Sequence, residues 1–177
     1  MNLADTNQFQ QSIRGEDTST LICHAMMVNL HCQKTQVSGC KLLSAISSSI
    51  EFTTGTVFVE TVVYAMLKYH SSEIIQLSGC SLLSCSSYHF RYIKDSSGLD
   101  NMIIEAVITA MEHFPSSQAL QDRAMVALES FLPNQSLQTA LHACSSRVIS
   151  AVYTGMTLST SIETFERGSE IIRVCEL

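Results

Sequence analysis

The chain has 177 residues, of which 46% are hydrophobic and 15% are charged, against about 25% charged residues in ordinary soluble domains. This composition excludes an intrinsically disordered chain, and seven glycines and two prolines exclude collagen-like and low-complexity classes. A net charge of −6 disfavours nucleic acid and anionic membranes as partners, because both attract basic surfaces. The length predicts a single domain over residues 1–177.

The first twenty residues are polar and contain no apolar signal-peptide core. No later stretch has the roughly 18 apolar, uncharged residues of a membrane-spanning helix. The seven cysteines are odd in number and form no CxxC pair. These features predict reduced, mostly buried thiols in a cytoplasmic protein, with the nucleus as the alternative compartment.

An internal repeat organises the chain. Residues 25–46 and 65–86 share an Ala-Met pair, a Gln-x-Ser-Gly-Cys segment and a Leu-Leu-Ser segment in the same columns. The offset from Ala25 to Ala65 recurs from Gly39 to Gly79. Agreement at so many columns indicates duplication of one structural unit.

Two further copies follow. A weaker one begins at Ala110, and its Ala124 stands in the column of Gly79. A faint one is placed from Ala151, with Gly168 continuing it after a short insertion. Such units gain a core by stacking on their neighbours. The alignment predicts four of them, at residues 10–47, 48–88, 89–133 and 134–177.

Each unit is predicted to contain two main helices. In the second copy the first helix covers Val57–Tyr69, because its apolar residues recur at helical spacing. His70 is a solvent-exposed turn residue, and the second helix covers Glu73–Ser84. The first helix buries Val59, Val62, Val63, Met66 and Leu67. The second buries Ile74, Leu77, Cys80, Leu83 and Ser84, with Ile75 and Leu82 widening that face.

The third copy predicts helices over Asn101–Phe114 and Gln118–Leu132, each followed by a proline that disfavours helical geometry in the residue before it. A short leading helix closed by a glycine corner is predicted before each long helix, around Gly15, Gly55 and Gly98. Gly79 lies in mid-helix, where glycine costs up to about 1 kcal/mol. We therefore expect a neighbouring helix to approach it closely.

The pattern resembles the armadillo repeat, a unit of about 40 residues with a short helix, a glycine corner, a long helix and a third helix carrying a small residue before leucines. The matching elements here are Gly55, the Val57–Tyr69 helix and residues 76–83. The resemblance covers residues 10–133, and the HEAT repeat is the nearest competitor. It implies an all-α fold, an armadillo/HEAT-like α-solenoid wound as a right-handed superhelix of about four repeats.

The same resemblance implies a groove for a protein partner, because armadillo proteins bind partners along their third helices. Importin-like members carry a Trp ladder and an Asn ladder there. The Trp column here is Lys41, Ser81 and Val126, and the Asn column is Ala45, Cys85 and Ser130. Since both ladders are missing, binding of nuclear-import signals by that mechanism is not implied. The predicted groove residues are Lys41, Ser44, Ser81, Cys85, Val126 and Ser130.

Chemical sites find little support in the sequence. The first unit is rich in Cys and His (Cys23, His24, His31, Cys32, Cys40) but lacks the close ligand pairs of a zinc module. No nucleophile elbow, P-loop or kinase signature occurs, and the basic residues form no run. We predict no enzyme activity, no cofactor, no metal and no nucleic-acid or membrane partner.

The predicted function is a non-catalytic scaffold for a protein partner. Residues 79–83 are also similar to armadillo regions attached to kinases, so the alternative is an accessory segment of a larger kinase-like protein, with other domains of that parent chain as partners. A redox-sensing cysteine protein is a third interpretation. Because Glu170–Leu177 ends inside a predicted helix, we expect the chain to be a fragment or short isoform of a longer solenoid.

Overall fold

A computed structural model describes residues 18–47, 56–90 and 98–176. These residues form helices joined by short turns and contain no strand, which confirms the predicted all-α class. The helices are α1 (Thr18–Val28), α2 (Gln33–Ile46), α3 (Thr56–Lys68), α4 (Glu73–Phe90), α5 (Leu99–His113), α6 (Gln118–Phe131), α7 (Gln135–Ala143), α8 (Ser145–Leu158) and α9 (Ile162–Cys175).

The first six helices form three hairpins, since α1 contacts α2, α3 contacts α4 and α5 contacts α6. Contacts between hairpins follow chain order. The first helices α1, α3 and α5 contact one another in succession, as do α2, α4 and α6. Two layers of helices result, with the apolar core between them.

The chain continues with one short and two longer helices. The side chain of Asn134 caps α7 by accepting hydrogen bonds from the amides of Ser136 and Leu137, two of the donors that a helix start leaves unpaired. Helix α7 contacts α5, helix α8 contacts α5 and α6, and helix α9 contacts α6 and α8. The last helices therefore extend both layers.

Most predicted helix positions agree with the structure to within two residues. The exception is α4, which continues to Phe90, six residues beyond the predicted Ser84. The leading segments around Gly15 and Gly55, and the one predicted just before Gly98, lie outside the described residues. Gly98 begins α5 with φ of +92°, a left-handed conformation that favours glycine, as expected for a glycine corner.

The buried face of α3 agrees with prediction, whereas that of α4 differs. Val59, Val62, Val63 and Met66 are buried and Leu67 is half-buried. On α4, Ile74 is exposed, and Leu77 and Ser84 are only half-buried. The predicted inner face was therefore wrong at Ile74, whereas Leu77 packs against the core from a half-buried position, as Leu67 does. The residues buried there are Ile75, Gln76, Gly79, Cys80, Leu82, Leu83 and Ser86.

Glycine allows close helix approach within three of the hairpins. A Cβ atom on Gly79 would lie 2.4 Å from Sδ of Met66, and one on Gly39 would lie 2.3 Å from Sδ of Met26. Gly168 faces Met156 in the same way, at 2.5 Å. The fourth copy of the Ala-Met pair therefore falls at Gly155–Met156, one helical turn after the predicted Ala151.

All seven thiols are free. Four of them, Cys23, Cys40, Cys80 and Cys175, are buried, as predicted for most of the set. Cys32 and Cys85 are exposed. No described helix combines the length and the apolar character that crossing a bilayer requires.

Candidate functional site

A buried glutamine ties the two helices of each of the first three hairpins together. In the first hairpin, Nε2 of Gln36 on α2 donates to the carbonyl oxygens of Met26 at 2.8 Å and Asn29 at 3.1 Å. These carbonyls belong to the end of α1 and the turn after it, where a helix leaves carbonyl groups without intrahelical partners. Both carbonyls also accept a backbone amide of the turn, that of Asn29 at 3.2 Å and that of Cys32 at 2.9 Å, so the glutamine adds a second hydrogen bond to each.

The next two hairpins repeat this arrangement. Gln76 donates to the carbonyls of Met66 at 2.9 Å and Tyr69 at 3.1 Å. In the third hairpin, Gln121 on α6 donates to those of Met111 at 2.9 Å and Phe114 at 3.0 Å. Because the same atoms bond in each hairpin, the second helices α2, α4 and α6 hold the same rotation about their axes. Corresponding residues on these three helices therefore belong to corresponding faces.

The predicted groove residues lie on these three helices. Lys41 and Ser44 lie on α2, Ser81 and Cys85 on α4, and Val126 and Ser130 on α6. Lys41 and Cys85 are exposed, and the other four are half-buried. Since α2 contacts α4 and α4 contacts α6, the structure places the six residues on a row of adjacent helices. We call these six residues the groove face.

Two of the three serine hydroxyls of the groove face are engaged with their own helix. The hydroxyl of Ser81 donates to the carbonyl of Leu77 at 3.0 Å, and that of Ser130 to the carbonyl of Ala127 at 2.6 Å. The hydroxyl oxygen of Ser44 is buried and has no hydrogen-bond partner. The centre of this face consequently offers short, weakly polar side chains.

Two charged features border the groove face. At one end Lys41 is exposed on α2. At the other, Nε of Arg167 on α9 lies 2.5 Å from Oε2 of Glu129 on α6. Glu129 occupies the column of Ser44 and Ser84. Sequence reasoning missed this ion pair, because its two residues come from different units that share no repeat column.

Side chains at the turns between helices contact one another from hairpin to hairpin. Nζ of Lys68 lies 2.8 Å from Nδ1 of His31, and the hydroxyl of Tyr69 donates to the carbonyl of Leu30 at 2.9 Å. The ring of His70, exposed as predicted, has its centroid 4.7 Å from that of His113. These contacts join each turn to the next one along the molecule.

One shallow concavity of about 390 Å³ lies at the third turn. The hydroxyl of Ser117 donates to Oε1 of Glu73 at 2.5 Å across it. The Ser117–Glu73 bond connects α4 to the turn before α6, so the concavity marks a junction between hairpins. Its lining residues are Glu73, His113, Phe114, Pro115, Ser116 and Ser117.

The cysteines differ sharply in their surroundings. Burial raises the pKa of Cys40 and of Cys80 to about 12, so both thiols stay protonated at neutral pH. Hydrogen bonding by the Thr35 hydroxyl lowers the pKa of the exposed Cys32. Among the residues that the structure describes, no three His, Cys, Asp or Glu side chains come together as metal ligands would.

Comparison of the chain with models of known protein families, with curated proteins and with solved structures finds no match.

Proposed function

We propose that this chain is a non-catalytic scaffold that binds a protein partner along the groove face. The observation that carries the proposal is the repeated glutamine contact, which gives α2, α4 and α6 one common rotation. A row of equivalent faces on adjacent helices is the kind of extended surface that helical repeat proteins use for binding.

The proposed architecture is an armadillo-like α-solenoid with a right-handed superhelix. Contacts in chain order between hairpins support stacked repeats. The short helix α7, followed by the longer α8 and α9, favours the armadillo unit of three helices over a unit of two. In this arrangement the groove face lies on the third helices of successive repeats.

The chemistry of the face suits an extended polypeptide. Short side chains such as Ser81 and Cys85 at the centre allow a bound backbone to approach α4. Lys41 at one end offers a cation, and the Glu129–Arg167 pair borders the other. We expect a partner segment with an acidic group near α2 and a mainly apolar body over α4.

A photo-crosslinking amino acid placed at Ser81 tests the proposal in cell extract. The matched control carries the same group at Glu60, an exposed residue of α3 in the other helix layer. We expect Ser81 to capture a defined set of proteins that Glu60 does not. Lys41→Glu and Val126→Arg should reduce that capture by about tenfold or more, a loss of about 1.4 kcal/mol, without lowering Tm.

Equal capture from Ser81 and Glu60 would refute the groove face. So would a fall in capture that merely follows a fall in Tm, since the variants would then be acting through the fold.

A further inference from the structure

The last hairpin, formed by α8 and α9, carries an uncovered apolar surface. Tyr153 on α8 is 53% exposed, and Phe165 on α9 is 60% exposed. Ile162, one turn before Phe165, is 77% exposed. We call these three residues the end face. Outer surfaces of stacked arrays are ordinarily polar, whereas these three large side chains are exposed.

Earlier hairpins bury the positions that correspond to Tyr153 and Phe165, whereas Glu73 and Gln118, the counterparts of Ile162, are exposed. With Gly155–Met156 aligned to Ala110–Met111, Tyr153 matches Ile108 and Val63, and both are fully buried. Phe165 lies three residues before Gly168, as Gln76 lies three residues before Gly79, and Gln76 is buried as well.

Inside the molecule, the following hairpin covers the position that corresponds to Phe165. A Cβ atom on Gly155 of α8 would lie 3.0 Å from Oε1 of Gln121 and 3.1 Å from Cε of Met125. Gln121 and Met125 belong to α6, in the preceding hairpin. A position of the Gln121 type therefore packs against a small residue on the first helix of the next unit.

The first hairpin exposes the complementary half of that contact. Ala25 on α1 corresponds to Gly155 and is exposed, whereas Gly155 is buried. Leu42 on α2 is 54% exposed, whereas its counterpart Leu82 is fully buried. We call Ala25 and Leu42 the front face.

From these two ends we infer that the end face of one molecule docks on the front face of a second copy of the chain, head to tail. This contact continues the packing between successive hairpins inside the molecule, with Phe165 at the position of Gln121 and Ala25 at that of Gly155. Burial of two aromatic side chains supplies the driving force. Because the interface is heterologous, each dimer keeps one free end of each kind and can grow.

Sedimentation velocity of the full 177-residue chain tests the inference over a wide range of concentration. We expect the average mass to rise with concentration through dimers to larger species. Phe165→Glu on the end face and Leu42→Glu on the front face should each abolish this rise. Val57→Glu, at a residue 58% exposed on α3, is the matched control and should associate like the unaltered chain.

A mixture of the two blocked variants distinguishes the head-to-tail mode. Each variant keeps one intact face, so the mixture should form a one-to-one dimer and nothing larger. If circular dichroism shows that Phe165→Glu does not fold, Tyr153→Glu takes its place in the experiment. An unaltered chain that stays monomeric at every concentration would overturn the inference. Dimers of Leu42→Glu alone would overturn it too, because they would indicate pairing between two end faces.

Discussion

The amide of Gln76 shows how one side chain sets the geometry of a hairpin. Its Nε2 donates to two carbonyls at the end of α3, while its Oε1 is buried without a hydrogen-bond partner. A hydrogen-bond donor suits this position, because the two neighbouring groups are carbonyl oxygens, which only accept. Gln76 is isosteric with glutamate and similar in size to leucine, so substitution can separate hydrogen bonding from packing.

Gln76→Leu should lower the free energy of unfolding by about 1–3 kcal/mol, because the buried Met66 carbonyl loses its side-chain donor. The Tyr69 carbonyl keeps the backbone amide of Ser72 at 2.9 Å. Gln76→Glu should cost more at neutral pH, since a buried carboxylate would face two carbonyl oxygens. Burial would raise the pKa of that carboxyl group in the folded state, so the Gln76→Glu variant should recover stability as the pH falls and the acid gains a proton to donate. Urea denaturation at several pH values measures both effects.

A Gln76→Glu variant as stable at neutral pH as Gln76→Leu would contradict the assigned hydrogen bonds. A loss of stability in Gln76→Glu that stayed the same at every pH would contradict them as well.

The close contact of Gly79 with Met66 makes a second prediction at the residue scale. Gly79→Leu should destabilise the chain by more than the usual 1–3 kcal/mol of an overpacked core, because even its Cβ would lie 2.4 Å from Sδ and 2.6 Å from Cγ of Met66. Adding Met66→Ala should restore part of the loss by making room. A double-mutant cycle from thermal unfolding would measure a coupling of about 0.5–3 kcal/mol; additive effects would show that Met66 is not the obstacle.

At the scale of helices, Arg147 joins α8 to α5. Its guanidinium donates to Glu105 at 2.7 Å and binds Glu112 through two hydrogen bonds of 2.9 and 2.7 Å. All three side chains are more than 40% exposed, so solvent screens the pair. The hydrogen bonds from Arg147 lower the pKa of Glu112 below its ordinary value of 4.5.

Arg147→Gln should lower the free energy of unfolding by no more than about 1 kcal/mol at neutral pH. A carboxyl group with a lowered pKa in the folded state stabilises above its unfolded pKa, and this contribution disappears as the pH falls through the lowered value. The variant and the unaltered chain should therefore converge below pH 4.5. Arg173→Gln, which breaks an exposed pair within α9, is the control and should change stability less. A difference that persists in acid would exclude Glu112 as the cause.

The helices themselves were largely predictable from the sequence, for identifiable reasons. In α3, which buries one face against the core, apolar residues recur at helical spacing: Val59, Val62, Val63 and Met66. The buried face of α4 was harder to predict, because other helices cover α4 on several sides and apolar residues occur all round it. The helical spacing predicts that Ile74 is buried, whereas the structure exposes it.

The repeat alignment predicted the groove face, but it did not predict the hydrogen bonds that orient the helices carrying it. Gln36, Gln76 and Gln121 align in the sequence, yet their function depends on carbonyl groups, which every residue carries. A polar residue repeated within an apolar helix face was the available signal. The Glu129–Arg167 pair crosses between units and leaves no periodic trace, so side-chain coordinates were needed to find it.

At the scale of the whole molecule, α4 contacts both α2 and α6, and the proposed solenoid places α4 between them in a row. Adjacent packed helices lie about 8–10 Å apart, so corresponding residues should be spaced in even steps along the row. Lys41, Ser81 and Val126 occupy one repeat column on these three helices. Their mutual distances therefore report directly on the order of the hairpins.

The most direct test of this ordered row measures the distances between pairs of spin labels at positions 41, 81 and 126 by pulsed electron–electron double resonance. We predict that the distance from 41 to 126 is the longest of the three and close to the sum of the other two, about 20 Å for two helix steps. A distance from 41 to 126 as short as either single step would mean that α2 packs against α6, and would contradict the proposed row and the groove along it.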